Sequence, residues 1–149
     1  MLPRRLRRLP GCTYLGPRVY FVTILTKARR RFFAEDRLAV MCKEQFLRAA
    51  KKQNFAIRAG TLMPDHTHLL VRGLTGGADL RSFMKMAKQL SGFHVKQLSG
   101  RRLWTDGYFE RVVRHDEDLR RFVDYILLNP VKGKLAASVG EHPHTWEDQ

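Results

Sequence analysis

"FAIRAGTLMPDHTHLLVRG", residues 55–73, reads as two strands joined by a tight turn. Phe55–Met63 and His66–Gly73 are apolar and short, and Pro64-Asp65 between them is turn chemistry. A hairpin of this kind commits the chain to an antiparallel sheet. Its second strand carries His66 and His68, two residues apart. Alternate strand residues project from one face, so the two imidazoles share a side and Thr67 points to the other. Neutral imidazole ligates Zn, Mn, Fe, Ni or Cu, and carboxylate or amide oxygen suits Mg and Mn. By itself the tripeptide also describes surface or hydrogen-bonded strand histidines.

Outward from the hairpin the pattern alternates. "VYFVTILT", residues 19–26, is β-branched and aromatic and reads as a strand. The basic loop "KARRR" follows. A helix is expected from about Glu35-Asp36 to about Gln53, with Leu38, Met41, Cys42, Phe46 and Ala49 at three- and four-residue steps. A second helix is expected from about Asp79 to Leu98, with Leu80, Phe83, Met84, Ala87, Leu90 and His94 on one face. A turn at Thr105-Asp106-Gly107 precedes a fourth strand over residues 108–114. A third helix begins near Asp116, with Asp116, Glu117 and Asp118 in the first turn, where the helix dipole favours acids. Its stripe is Leu119, Phe122, Val123, Ile126 and Leu127, and Asn129-Pro130 is expected to end it. The tail, "EHPHTWEDQ", reads as irregular. The order strand, helix, strand, strand, helix, strand predicts an α+β fold. It is ferredoxin-like or RRM-like, a four-stranded antiparallel sheet with two helices on one face, and the C-terminal helix is an addition. Residues 1–18 are read as a basic arm, 19–133 as one domain and 134–149 as a tail.

The 149 residues suit a single domain, and 44% hydrophobic content excludes disorder as the default. Lys+Arg number 28 against 14 Asp+Glu, a formal net charge of +14. That charge speaks to partners: nucleic acid first, an anionic membrane surface second. No apolar run approaches the roughly 20 residues of a spanning helix. The basic start lacks the apolar core of a signal peptide. Cys12 and Cys42 have no metal-site spacing, and a reduced, cytoplasmic protein is expected. Two groups of basic residues are candidates for phosphate contact. Arg4, Arg5, Arg7 and Arg8 form a flexible arm or a solvated tail. Arg81, Lys85, Lys88 and Lys96 form an acid-free stripe opposite the apolar face of the second helix.

In the last helix Tyr125 and Asn129 are four apart and share a face at the edge of the apolar stripe. Taken singly, they read as a packing tyrosine and a helix terminator. Jointly, "LMPDHTHLLV", "VDYILLNPVKG" and "LWTDGYFERVVR" resemble the single-tyrosine transposases of the His-hydrophobic-His endonuclease superfamily. Within these they look most like the transposases associated with repetitive extragenic palindromes (REP). The resemblance implies that His66 and His68 bind a divalent metal, Mg²⁺ or Mn²⁺, with Asn129 as a polar third ligand. It implies Tyr125 as the nucleophile. Thr67 stands where the family usually has a bulky apolar residue, and Asp65 where Asn is commoner, so Asp65 is close enough in sequence to approach the metal.

The implied activity is metal-dependent nicking and joining of single-stranded or hairpin DNA through a 5′-phosphotyrosine, by a monomer or homodimer with no membrane partner. Tyr14, Tyr20 and Tyr108 are the rival nucleophiles, but none has a polar residue one helical turn away. A non-catalytic RRM-like nucleic-acid-binding module is the alternative, although the RNP aromatic signature is absent. A metal nuclease that uses no tyrosine is a third reading.

Overall fold

A computed structural model describes residues 14–148. The elements are β1 (Val19–Leu25), α1 (Asp36–Gln53), β2 (Phe55–Met63), β3 (His66–Gly73), α2 (Leu80–Ser99), β4 (Phe109–Val113), α3 (Asp116–Lys132) and β5 (Thr145–Glu147). The sheet order is β4-β1-β3-β2-β5, every neighbour antiparallel. The first four strands and two helices thus have the ferredoxin-like order expected, and a fifth strand extends the sheet at the β2 edge. Met63 pairs with His66 across the Pro64-Asp65 turn, so the hairpin closes in the shortest way.

Each face of the sheet has its own core. Tyr20, Val22 and Ile24 of β1, with Leu62, Leu69 and Val71, face α1 and α2. Asp79 caps α2 by accepting from the Arg81 amide, and Gly100 ends it at φ +73. The buried stripe of α2 passes through Ser91 and Val95, not His94. Ser91 can stand there because its hydroxyl donates to the Ala87 carbonyl and accepts from Trp104 Nε1. The opposite face belongs to α3. Val123 and Ile126 pack there on Phe21, Ala59, Leu70 and Val113, with Leu119, Phe122, Tyr125 and Leu127 around them.

Two local expectations are corrected. Asn129-Pro130 does not end α3, which continues to Lys132. Proline lacks only its own N–H, and the next turn still closes, Gly133 N–H donating to Asn129 O at 2.9 Å. The tail is not wholly irregular. Thr145, Trp146 and Glu147 pair with Thr61, Gly60 and Ala59, and Leu62 N–H donates to the His144 carbonyl at 2.9 Å. Gly60 makes this docking possible: a Cβ there would lie 2.6 Å from the Trp146 ring and 3.0 Å from Leu69. Gly60→Val is therefore expected to lift Trp146 from the sheet and destabilise the protein by about 1–3 kcal/mol. Urea unfolding with tryptophan emission checks this, and an unshifted emission maximum at unchanged stability would contradict it. Among the described residues, no helix is long and apolar enough to cross a membrane.

Candidate active site

The register puts His66, His68 and Leu70 on the α3 side of β3, beside Thr23 and Phe21 of β1. His68 is 1% exposed. Its Nδ1 lies 2.8 Å from Thr23 Oγ1, and its ring stacks on Phe21 with centroids 5.3 Å apart. The His66 ring is 4.8 Å from that of His68, at 74°. His66 Nδ1 lies 2.7 Å from Asp65 Oδ1. Asp65 is thus placed on the far nitrogen of His66 as an orienting partner, while its other oxygen accepts from Arg29.

α3 brings its residues onto this pair. The Tyr125 ring stands edge-on to His68 with centroids 5.4 Å apart and edge-on to Phe21 at 5.7 Å. Phe122, one turn earlier, packs on Phe21 at 4.8 Å. The Asn129 side chain, one turn later, comes close enough to His66 to bear on its charge. Four residues from two separate elements therefore meet on one side of the sheet: His66, His68, Tyr125 and Asn129.

The electrostatics keep both imidazoles neutral. Burial lowers His66, and the Asp65 carboxylate only partly offsets it. Burial, with His66 beside it, pushes His68 down to about 3. Burial raises the Asp65 carboxyl, but the His66 hydrogen bond and the Arg29 guanidinium outweigh it and hold the group below its usual range. An ionised carboxylate only accepts, so Nδ1 of His66 carries the proton and Nε2 the lone pair. Among the described residues, no group of three or more His, Cys, Asp or Glu side chains could hold a metal ion. The donor set here is instead two neutral imidazoles and the amide of Asn129. That mixture of nitrogen and amide oxygen, with the far nitrogens held by Asp65 and Thr23, fits a divalent cation such as Mn²⁺.

The other candidates lie elsewhere. Arg4, Arg5, Arg7 and Arg8 fall outside the described residues. Arg81, Lys85, Lys88 and Lys96 are on α2, across the sheet from the histidines. Arg81 is paired with Asp79 at 3.3 Å. Lys88 donates to the Thr105 carbonyl at 3.0 Å and to that of Gly107 at 2.7 Å, clasping the loop before β4. Lys85 and Lys96 are exposed. Of the rival tyrosines, Tyr14 is 1% exposed and donates to Glu110 Oε1 at 2.9 Å. Tyr20 is fully buried toward α1 and α2, and burial pushes its phenol up to about 12. Tyr108 packs against that same core.

Sequence reasoning missed Thr23, Phe21 and Arg29. Thr23 had a signal, being the polar residue inside an apolar strand. Arg29 had none, since its partner is 36 residues away.

Residues 18–128 match the family described as "Transposase IS200 like". A relative from Escherichia coli (strain K12), the REP-associated tyrosine transposase, is 26% identical over 131 residues, covering 87% of this chain and 76% of the relative. A solved structure of a REP-associated tyrosine transposase bound to a REP hairpin superposes with a TM-score of 0.78 at 23% identity, covering 96% of this chain and 82% of that one. At that identity the second likeness speaks to the fold.

Proposed function

The chain belongs to the IS200-like transposase family, and from that premise we propose that it nicks and rejoins single-stranded DNA through a 5′-phosphotyrosine on Tyr125. The observation that carries this is the placement of Tyr125, 5.4 Å from His68 between ring centroids, with Asn129 beside His66 one turn on. It is a DNA-cleaving and joining enzyme, and the finer reading concerns which atoms do the work. Tyr125 Oη attacks the scissile phosphorus, the bond from phosphorus to the 3′ oxygen breaks, and the phenol proton is lost as the departing 3′ oxygen takes one up. The link keeps the phosphodiester energy, so a 3′-OH of another strand can attack it and restore the tyrosine.

His66, His68 and Asn129 are the residues that would hold the divalent ion. When bound, Mg²⁺ or Mn²⁺ supplies Lewis-acid polarisation of the phosphate. The chain's own contribution is rigidity. Asp65 and Thr23 orient the two imidazoles, and Phe21, itself packed by Phe122, braces the Tyr125 ring so that its hydroxyl meets a fixed point. The catalytic unit is assigned to residues 19–133, with the basic arm before it and the tail folded back as β5. Hairpin DNA is the proposed partner, supported by the +14 charge and by the relative solved with a hairpin; a cytoplasmic location belongs to the same reading.

The test is incubation with a hairpin carrying a single-stranded 5′ extension and Mn²⁺, read on a denaturing gel. A protein–DNA adduct is expected. Tight binding with neither adduct nor cleavage would instead identify a binding module. Affinity should also fall steeply with salt, by a slope of about −0.7 in log K against log salt for each phosphate neutralised. Removing Lys85 and Lys96 together should flatten that slope, and an unchanged slope would take α2 out of the interface.

A further inference from the structure

We infer that Arg29 is a positioning residue of this site, acting through Asp65 to hold the His66 imidazole with Nε2 free to donate its lone pair. The inference rests on the proposed function and assigns a role to a side chain whose hydrogen bond in this site goes to Asp65. The Asp65 carboxylate is divided between two partners. Oδ1 lies 2.7 Å from His66 Nδ1. Oδ2 accepts from Arg29 Nε at 3.1 Å, and the adjacent guanidinium nitrogen pairs with the same oxygen at 2.9 Å as an ion pair. A carboxylate with one partner can rotate about its last bond. A planar fork on the opposite oxygen fixes the plane of the group, and with it the direction of the His66 hydrogen bond.

The backbone is built to bring the two together. The Asp65 carbonyl accepts from Thr26 N–H at 3.1 Å and from the Thr26 hydroxyl at 2.9 Å, and Phe33 N–H donates to Pro64 O at 3.0 Å. The basic loop after β1 and the β2–β3 turn are thereby one unit. Within that loop Ala28 and Arg29 both take positive φ, 55° and 53°. Non-glycine residues rarely adopt that region. Here it folds the chain back so that the fork faces the turn. His68 is oriented differently, by Thr23 across the sheet, so loss of Arg29 should disturb one imidazole and spare the other.

A half-exposed arginine beside such a site has an obvious competing role, direct contact with a DNA phosphate. Titrating Mn²⁺ alone into the full chain, with no DNA present, separates the two. Calorimetry on the wild type, Arg29→Gln, Arg29→Lys, Asp65→Asn and the Arg29→Gln/Asp65→Asn pair is the experiment, with circular dichroism as the folding control. Arg29→Gln is expected to weaken Mn²⁺ by about 10-fold or more, the usual range for an orienting partner of a metal ligand. Arg29→Lys, which keeps the charge and loses the fork, should fall between. If Arg29 works through Asp65, the double variant is no worse than Asp65→Asn alone. Wild-type Mn²⁺ affinity in Arg29→Gln, or losses that add in the double variant, would overturn the inference. A wild type that binds no Mn²⁺ would overturn the metal reading beneath it, and the two failures are told apart by that first titration.

Discussion

Tyr125→Phe is expected to bind hairpin DNA like the wild type and to form no covalent adduct. The substitution removes one oxygen. The ring keeps its edge-on contacts with His68 and Phe21, so α3 stays seated and stability should change by no more than about 1 kcal/mol. What vanishes is the proposed nucleophile, and the phenyl ring has no lone pair with which to attack phosphorus. Rescue by another tyrosine is disfavoured by position. Tyr14 and Tyr20 are buried on the other side of the sheet, and burial holds the Tyr20 phenol near 12. The readout is the adduct band on a denaturing gel, followed by mass mapping of the trapped peptide in the wild type. A link at Tyr14, Tyr20 or Tyr108 would refute the nucleophile. A bond to a 3′ phosphate would refute the polarity of the reaction.

The assignment of Tyr125 shows where sequence reasoning runs well and where it stops. Period-two alternation put His66 and His68 on one face, and a four-residue step put Tyr125 and Asn129 on another. Both follow from local geometry. That the two faces meet is a packing result between residues 57 positions apart in chain, set by Val123 and Ile126 burying against Leu70 and Phe21, and periodicity carries no such information. The hairpin bounds, 55–63 and 66–73, were legible because Pro64-Asp65 punctuates them. β5 was not, because three residues without alternation form a strand only where the absent side chain of Gly60 admits Trp146. The α2 stripe misled in part. Lys88 has the spacing of a solvated cation, yet its ammonium answers two carbonyls of a loop 17 and 19 residues on. Thr23 was visible as a polar residue in an apolar strand, but only the register Thr23 against His68 gives it a purpose.

That same register separates the consequences of losing each histidine. His66→Ala and His68→Ala should each abolish cleavage, because each removes one of the two imidazoles from a site with a single further donor. Loss of several kcal/mol of transition-state stabilisation corresponds to a fall on the order of 10³-fold or more. Their stability costs should differ. The His66 side chain is 14% exposed and bonded to a turn carboxylate that retains Arg29 as a partner, so its loss should cost little. His68 is 1% exposed, sandwiched between Phe21 and Tyr125. Removing it opens a cavity and takes away the ring nitrogen that the buried Thr23 hydroxyl meets, about 1–3 kcal/mol for the hydroxyl if it finds no other partner. Adding Thr23→Val to His68→Ala replaces that hydroxyl with a methyl group and should return part of the stability without returning activity. Thermal unfolding and single-turnover cleavage, measured on the same four proteins, decide it. Cleavage by His66→Ala at the wild-type rate in saturating Mn²⁺ would remove His66 from the site. A stability gain from Thr23→Val accompanied by restored cleavage would mean that His68 serves the fold and not the chemistry.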